Sequence, residues 1–228
     1  RIAGPAEGLL AVGEGEGPGR MLEPWQIVEH VGRALGPDAA LAGRRVLVTA
    51  GPTREPVDPV RFLGNRSSGR MGYALAQAAW RRGAEVTLVT GPSALPHPEG
   101  VDVVPVETAQ EMLDAVEAVI ASADVSIFAA AVADFRPEAP SGRKVKRAEK
   151  GDALTLRLTA NPDIALRTRG LRKPGSVAVG FALETHEMLA NARRKLEAKG
   201  FHILVAKDAT EAGARFNVDT NRVTVLDA

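Results

Sequence analysis

The feature that most limits what this chain can fold into is a series of apolar segments between Arg45 and Ala131 whose period alternates between strand and helix. Val46 to Thr49 is a short apolar run ending in a Gly51-Pro52 turn. Met71, Leu75, Ala78 and Ala79 recur at the spacing of one helix face, Gly83 closes that helix, and Glu85 to Val89 is strand-like again. Val101 to Val106 reads as a third strand, Glu111 to Ile120 as a helix, and Val125 to Ala131 as a fourth strand, small and apolar throughout. Buried strands alternating with helices predict an α/β, Rossmann-like fold: a mostly parallel sheet with helices on both faces. Sheets of this kind bind ligands beyond the carboxyl ends of their strands.

The second half is less regular. Pro137 to Gly151, with Lys144, Lys146, Arg147 and Lys150, has no apolar period and reads as a mobile basic loop. Leu154 to Leu158 alternates as a strand, Asn161-Pro162-Asp163 is a turn or helix start, and Val177 to Phe181 is another buried strand. Glu187 to Lys199 reads as a helix with Leu189, Ala192 and Leu196 inward and Arg193, Arg194, Lys195 and Lys199 outward. Ile203 to Ala206 and Arg222 to Leu226 close the fold as a smaller β-rich C-terminal part, with Asp219-Thr220-Asn221 as a turn.

Residues 1–42 have a different texture. Gly13 to Gly19 is glycine-rich, and Trp25, Ile27, Val28, Val31 and Leu35 then recur at helical spacing behind Pro24, which suits a first helical turn. One loop and one helix are too little to fold alone. The segment is either an arm packed on the main domain, residues 43–228, or the tail of a preceding domain.

Totals remove several function classes. The net charge of +1 provides no excess of cations for general nucleic-acid binding. The absence of cysteine excludes disulfides, thiolate metal sites and cysteine nucleophiles. His30, His97, His186 and His202 are scattered without metal-ligand spacing. No apolar run has the length of a membrane span and no signal-peptide core precedes the first strand, so a cytoplasmic protein is expected.

Three constellations can carry chemistry. Asn65-Arg66-Ser67-Ser68-Gly69 stands at the head of a helix, after a strand and a loop bearing Arg54 and Arg61. It is either an ordinary N-cap or an anion site, and no Gly-x-Gly-x-x-Gly or Walker lysine pattern accompanies it. Ala129 to Phe135 puts small residues and Asp134 at a strand end, which suits either close helix packing or a flat ligand lying on the backbone. Lys144, Lys146 and Arg147 form either a solvated loop or a mobile cation that closes on phosphates. The Lys195 and Lys199 pair, i and i+4, is equally open.

Six co-linear motifs resemble those of the bacterial phosphopantothenoylcysteine synthetase family, the ligase half of a bifunctional coenzyme A biosynthesis protein. They are Ala50 to Arg61, Asn65 to Gly72, Ala130 to Arg136, Lys144 to Arg147, Asn161 to Ile164 and Val179 to Thr185, and the resemblance covers residues 43–228. It implies joining of 4'-phosphopantothenate to L-cysteine with CTP and Mg²⁺ by way of an acyl-cytidylate, with a homodimer as the expected assembly. By position in the motifs, Asn65 resembles the residue that holds the acyl-cytidylate, Arg61 its neighbour, and Lys144 the first lysine of the family's mobile loop. Gly51, Ser67, Ser68 and Gly69 fall on the acyl-substrate side. Phe128, Ala129, Ala130, Asp134, Pro162, Asp163, Ile164, Ala165, Phe181, Lys195 and Lys199 match positions that surround CTP. Arg147 stands where many members have lysine, which keeps the charge.

Residues 1–35 resemble the end of the flavin-dependent decarboxylase that precedes this domain in the bifunctional protein, with Val12 at the position of its catalytic cysteine. The chain begins at Arg1 and reads as a piece of a longer protein; by itself it is not expected to bind flavin. The other reading of the whole chain is a nucleotide- or NAD(P)-binding α/β module without ligase activity.

Overall fold

The computed structural model describes residues 2–11, 13–36, 39–147, 153–184, 187–208 and 222–228. Val12, Lys150, Gly151, Thr185, His186 and the Asp219 to Asn221 turn lie outside them.

The centre is a seven-stranded sheet. In chain order its strands are β3 (Arg45–Ala50), β6 (Glu85–Thr90), β7 (Asp102–Pro105), β8 (Val125–Phe128), β11 (Val177–Glu184), β12 (Ile203–Asp208) and β13 (Thr224–Asp227). Their spatial order is β13-β12-β11-β8-β3-β6-β7. Pairing is parallel throughout except for antiparallel β12–β13. The chain runs outward from β3 through β6 to β7, then returns to lay β8 on the other side of β3. That reversal is a topological switch point at the carboxyl ends of β3 and β8, where crossovers leave on opposite faces and open a crevice.

The two faces follow from strand parity. Val46, Val48 and Ala50 of β3, with Val86 and Leu88 of β6, pack under α2 (Arg70–Arg81) through Tyr73, Ala76, Ala79 and Trp80. Leu47 and Val89 point the other way, onto Met112, Leu113, Val116 and Ile120 of α3 (Ala109–Ile120). On that same face α5 (Met188–Lys199) covers Ala178, Ala182, Leu204 and Ala206. Leu47, Leu88 and Met112 are fully buried, and each contributes about 1.5–3 kcal/mol by leaving water.

Several boundaries depart from the sequence reading. The buried face of α2 is Gly72, Tyr73, Ala76, Ala79 and Trp80, so of the four residues expected to mark it only Ala79 is buried. Leu189 of α5 is exposed rather than inward, whereas Ala192 and Leu196 are buried as expected. Regular pairing of β8 stops at Phe128, and the following residues hold to β3's extension by a looser ladder. The strand expected over Leu154 to Leu158 is β10 (Leu158–Ala160), opposite β9 (Phe135–Pro137). The ladder runs one bond beyond β9, from Glu138 N–H to Arg157 O at 2.9 Å.

Between β3 and α2 the chain makes a hairpin of β4 (Arg54–Pro56) and β5 (Phe62–Gly64). It is fastened to the start of α3. The buried Glu55 carboxylate accepts the Ala109 N–H at 3.0 Å, where the helix dipole favours an anion, and Arg54 N–H bonds to Glu107 O at 2.7 Å. Thr108 and Glu111 complete a reciprocal capping box there.

The N-terminal segment is a hairpin of β1 (Ala6–Leu9) and β2 (Glu16–Arg20), followed by α1 (Pro24–Leu35) with Pro24 in its first turn. This helix packs on α2, but by its polar side. Glu29 grips Arg81 at 2.5 and 2.9 Å, Gln26 and His30 bond Glu99 at 2.6 and 3.0 Å, and Arg33 reaches the carbonyls of Trp80, Gly83 and Ala84. Trp25, Val28, Val31 and Leu35 are exposed. The helix is where its spacing placed it, facing outward.

Candidate functional site

The floor of the site is the stretch beyond β8. Ala129 N–H bonds to Thr49 O at 3.2 Å, Ala130 N–H to the Thr49 hydroxyl at 3.3 Å, Ala131 N–H to Gly51 O at 2.8 Å, and Ala133 N–H to the Thr53 hydroxyl at 2.9 Å. Buried Thr49 and Thr53 thus satisfy a backbone that has left the regular ladder, so the small residues 129–133 form a fixed surface.

One wall is the head of α2. Its cap residue is Gly69 in the left-handed region, φ +79°, and a Cβ there would lie 3.2 Å from the backbone of Gly51. A Cβ on Gly72 would come within 2.5 Å of Ala50 Cβ. Glycine at both places lets the helix lean onto the end of β3, which turns its unpaired first amides into the cleft. Neither Asn65 nor a serine caps the helix. Ser67 instead accepts the Gly69 N–H at 3.3 Å, and the Asn65 amide donates across the floor to Val132 O at 2.9 Å and Ala131 O at 3.4 Å.

The opposite wall comes from α4 (Ile164–Arg167) and α5. Asp163 caps α4 by accepting the Leu166 N–H at 3.1 Å, and the Lys199 ammonium lies 2.8 Å from its other oxygen. Lys195 donates to Phe181 O at 2.6 Å. Beneath them Phe201 packs 5.7 Å from Phe128, in space that only glycine at 180 leaves, since a Cβ there would sit 2.3 Å from the Phe201 ring. Asn161 ties the walls to the floor through Ala133 O at 2.8 Å.

The resulting cleft has a volume of about 890 Å³, near the upper end of the range for small-molecule sites. Arg66, Arg70, Lys195, Lys199 and Lys207 line it, against the carboxylates of Asp134 and Asp163. Burial pulls the Lys207 ammonium below its ordinary pKa. An excess of cations over carboxylates, at the head of a helix, suits a polyanion.

Asn65, Ser67, Ser68, Gly69, Phe128, Ala129, Ala130, Asp134, Pro162, Asp163, Ile164, Ala165, Phe181, Lys195 and Lys199 all line this one cleft. Gly51, Arg61 and Lys144 do not. Gly51 lies behind the Gly69 backbone as a packing partner. Arg61 is turned to Asp58 and to Val145 O, at 2.5 and 2.6 Å, because the Asp58 carboxylate is buried and needs a cation. Lys144 is exposed beside it. Of the lining residues the sequence reading passed over, Lys207 had the clearest signal: a lysine at the carboxyl end of an otherwise apolar parallel strand. Thr49 and Phe201 look like ordinary core.

An open α/β sheet with its switch point under a cationic cleft defines a Rossmann-like protein whose candidate ligand site lies at the carboxyl ends of its strands. The chain belongs to the family described as DNA/pantothenate metabolism flavoprotein, C-terminal domain, whose profile matches residues 41–228. It is 46% identical over 224 residues to the coenzyme A biosynthesis bifunctional protein CoaBC of Vibrio vulnificus (strain YJ016), covering 98% of this chain and 55% of that protein. It is 44% identical over 231 residues to a cysteine/cysteine sulfinic acid decarboxylase of an unknown prokaryotic organism, covering 99% of this chain and 64% of the relative. Among solved structures, the C-terminal domain of a coenzyme A biosynthesis bifunctional protein CoaBC superposes with a TM-score of 0.69 at 40% identity, over 83% of this chain and 84% of that one. The chain spans about half the length of the CoaBC relative.

Proposed function

We propose that this chain is a ligase unit of coenzyme A biosynthesis that joins 4'-phosphopantothenate to L-cysteine at the expense of CTP. The observation that carries the reading is the meeting of Asn65 and the α2 head with Lys195 and Lys199 across one cleft, in a chain 46% identical to a CoaBC protein. In the first step the substrate carboxylate attacks the α-phosphorus of CTP, an acyl-cytidylate forms and pyrophosphate leaves. In the second the cysteine amine attacks the acyl carbon, CMP leaves, and the amine proton passes to solvent.

A carboxylate approaches a triphosphate against like charge, so the chain's first task is neutralisation. Lys195 and Lys199 stand on the nucleotide side with the helix-capping Asp163. Asn65 and the amides of Arg70 to Gly72 face the acyl phosphate side. Arg61 and Lys144, outside the cleft in this conformation, are assigned to closure over it during the reaction.

Among the described residues no group of three or more acidic or histidine side chains is arranged to cage a metal. The cleft's donor set, Asp134 with Asp163 already paired to Lys199, fits Mg²⁺ carried in on substrate phosphates and touched by at most a carboxylate or two. Bound there, the ion would neutralise phosphate charge.

We also propose a homodimer through the late strands. On the face opposite α5, Val179, Ile203, Val205 and Val225 are covered by no helix among the described residues, and Val225 is 61% exposed on the edge strand. A parallel sheet is normally covered on both faces. We also propose that the full protein carries a decarboxylase domain upstream of this one, a reading supported by relatives of which this chain covers 55% and 64%, one a bifunctional protein and the other a decarboxylase. No described helix is long and apolar enough to cross a membrane.

The deciding experiment measures pyrophosphate release from each of the four nucleoside triphosphates with Mg²⁺ and 4'-phosphopantothenate, then CMP release on adding L-cysteine. Release specific to CTP and dependent on the acyl substrate supports the ligase. A folded protein that binds nucleotide or NAD(P) and releases no pyrophosphate is the non-catalytic module instead.

A further inference from the structure

The buried Asp58 carboxylate lies away from the cleft, at the tip of the β4–β5 hairpin, with none of its side chain exposed. Its Oδ1 accepts the N–H groups of Val60 and Arg61, both at 2.9 Å, which shapes the hairpin tip. Oδ2 takes Arg61 Nε at 3.0 Å and Nη2 at 2.5 Å, and then a donor from 87 residues further on, the Val145 N–H at 3.1 Å. Arg61 closes the circuit by donating to Val145 O at 2.6 Å. Val145 therefore has both its backbone polar groups held by one ion pair. A third bond, Ser141 N–H to Val57 O at 2.9 Å, pins the same loop to the first residue of the hairpin turn.

Val145 is half-buried against the hairpin while its neighbours Lys144 and Lys146 are exposed. With both backbone groups of Val145 held, the directions in which its two neighbours can project are limited. Charge-assisted bonds to a buried carboxylate are the stronger kind, and losing them loosens the loop they hold more than the distant sheet. The carboxyl is held well below the usual carboxylate range, by Arg61 first, so it stays an acceptor throughout the neutral range.

We infer that Asp58 is a positioning residue that, through Arg61, fastens the Lys144–Val145–Lys146 segment to the β4–β5 hairpin and so sets where these lysines stand when the site is loaded. Its bearing on turnover rests on the ligase reading above; its bearing on the loop does not.

Two variants of the full chain test it by hydrogen exchange and by kinetics. Asp58→Asn removes the charge, and Val145→Pro removes the amide that donates to Asp58 while leaving the carboxylate in place. Exchange over residues 141–147 is expected to rise on the order of tenfold in Asp58→Asn, with the exchange of β3 and β6 rising less. In Val145→Pro the flanking amides are expected to rise likewise. Unchanged exchange in both variants overturns the inference whatever the activity. For kinetics, kcat of pyrophosphate release falls roughly tenfold with substrate affinity held, and in a Lys144→Ala background the same Asp58→Asn change has little further effect. Equal effects in the two backgrounds overturn the route through Lys144. A wild type that releases no pyrophosphate removes the ligase reading and leaves the exchange result to decide the fastening.

Discussion

Lys199, in the last turn of α5, places its ammonium 2.8 Å from the carboxylate of Asp163, the residue that caps α4. Two helices from different crossovers are thereby joined at the rim of the cleft. The lysine's charge is shared with this partner, and its side chain is 25% exposed. Removing the ammonium should therefore do two things at once: weaken an anion's hold on that wall and leave Asp163 facing the incoming phosphates unneutralised. We expect Lys199→Ala to raise the KM for the nucleoside triphosphate roughly tenfold and to change kcat less. Asp163→Ala should behave differently, lowering stability by about 1 kcal/mol through loss of the cap while retaining the cation. Initial rates and thermal melts of the two variants separate these outcomes.

Asn65 spends its side-chain amide on Val132 O and Ala131 O, which fixes the carboxamide over the floor. Asn65→Asp replaces that donor by a carboxylate facing two carbonyl oxygens and the developing negative charge of the acyl phosphate. The acyl substrate should still bind, as the α2 amides are untouched, and the reaction should stall at or before amide formation. Single-turnover assays that follow pyrophosphate and CMP separately read this directly. Wild-type turnover in the variant would remove Asn65 from the assignment.

How far the sequence could be read depended on whether the relevant force was local or long-range. The strand and helix alternation from Val46 to Phe128 is local, and the sheet follows it. The face of α2 is not: Tyr73 and Trp80 are large enough to be drawn inward by the β3 and β6 surface, and that rotated the helix away from the Met71 and Leu75 face. In α1 the apolar period gave the helix but not the face it lays on the domain, because Gln26, His30 and Arg33 find partners on Glu99 and on the end of α2 that no periodicity reveals. At the candidate site, Asn65, Asp134, Asp163, Lys195 and Lys199, from separate parts of the chain, lie together in the cleft. Arg61 and Lys144 lie elsewhere because a buried carboxylate, Asp58, holds one and the backbone beside the other. Lys207 is in the cleft through strand parity alone, on the same face as Ile203 and Val205.

Arg33 bridges the N-terminal helix to the body of the domain. Its guanidinium donates to the carbonyls of Trp80, Gly83 and Ala84, 3.2 Å from the last two, and stacks 4.6 Å from the Trp80 ring centre. The C-terminal end of α2 carries partial negative charge and unpaired carbonyls, so a cation with several donors is well matched to it. Arg33→Ala should cost about 1–2 kcal/mol, and Arg33→Lys should recover only part, since a single ammonium lacks the fork. Because α1 holds the C-terminal end of α2 and not the head that lines the cleft, nucleotide affinity is expected to be unchanged. Chemical denaturation and nucleotide binding on the same samples check both halves.

At the opposite end of the sheet from the cleft, Asp124 gathers the Arg45 N–H at 2.9 Å, the Lys173 ammonium at 2.6 Å and Arg44 at 4.0 Å. Lys173 first and the Arg45 amide second hold its carboxyl below the ordinary carboxylate value, against a smaller opposing effect of burial. A folded-state pKa below the unfolded one means that the unfolded chain binds more protons in the interval between them. The stabilisation is therefore fully present above about pH 4, the usual aspartate range, and is lost as pH falls through the lower folded value. Asp58 acts in the same direction through Arg61. Asp124→Asn should lower stability at neutral pH and flatten its decline in acid, so that wild type and variant converge at the lowest pH where the fold survives. Urea denaturation from pH 7 down to about pH 3 measures the slopes. Parallel curves, offset by a constant amount, would show that the carboxylate's charge is not what Asp124 contributes.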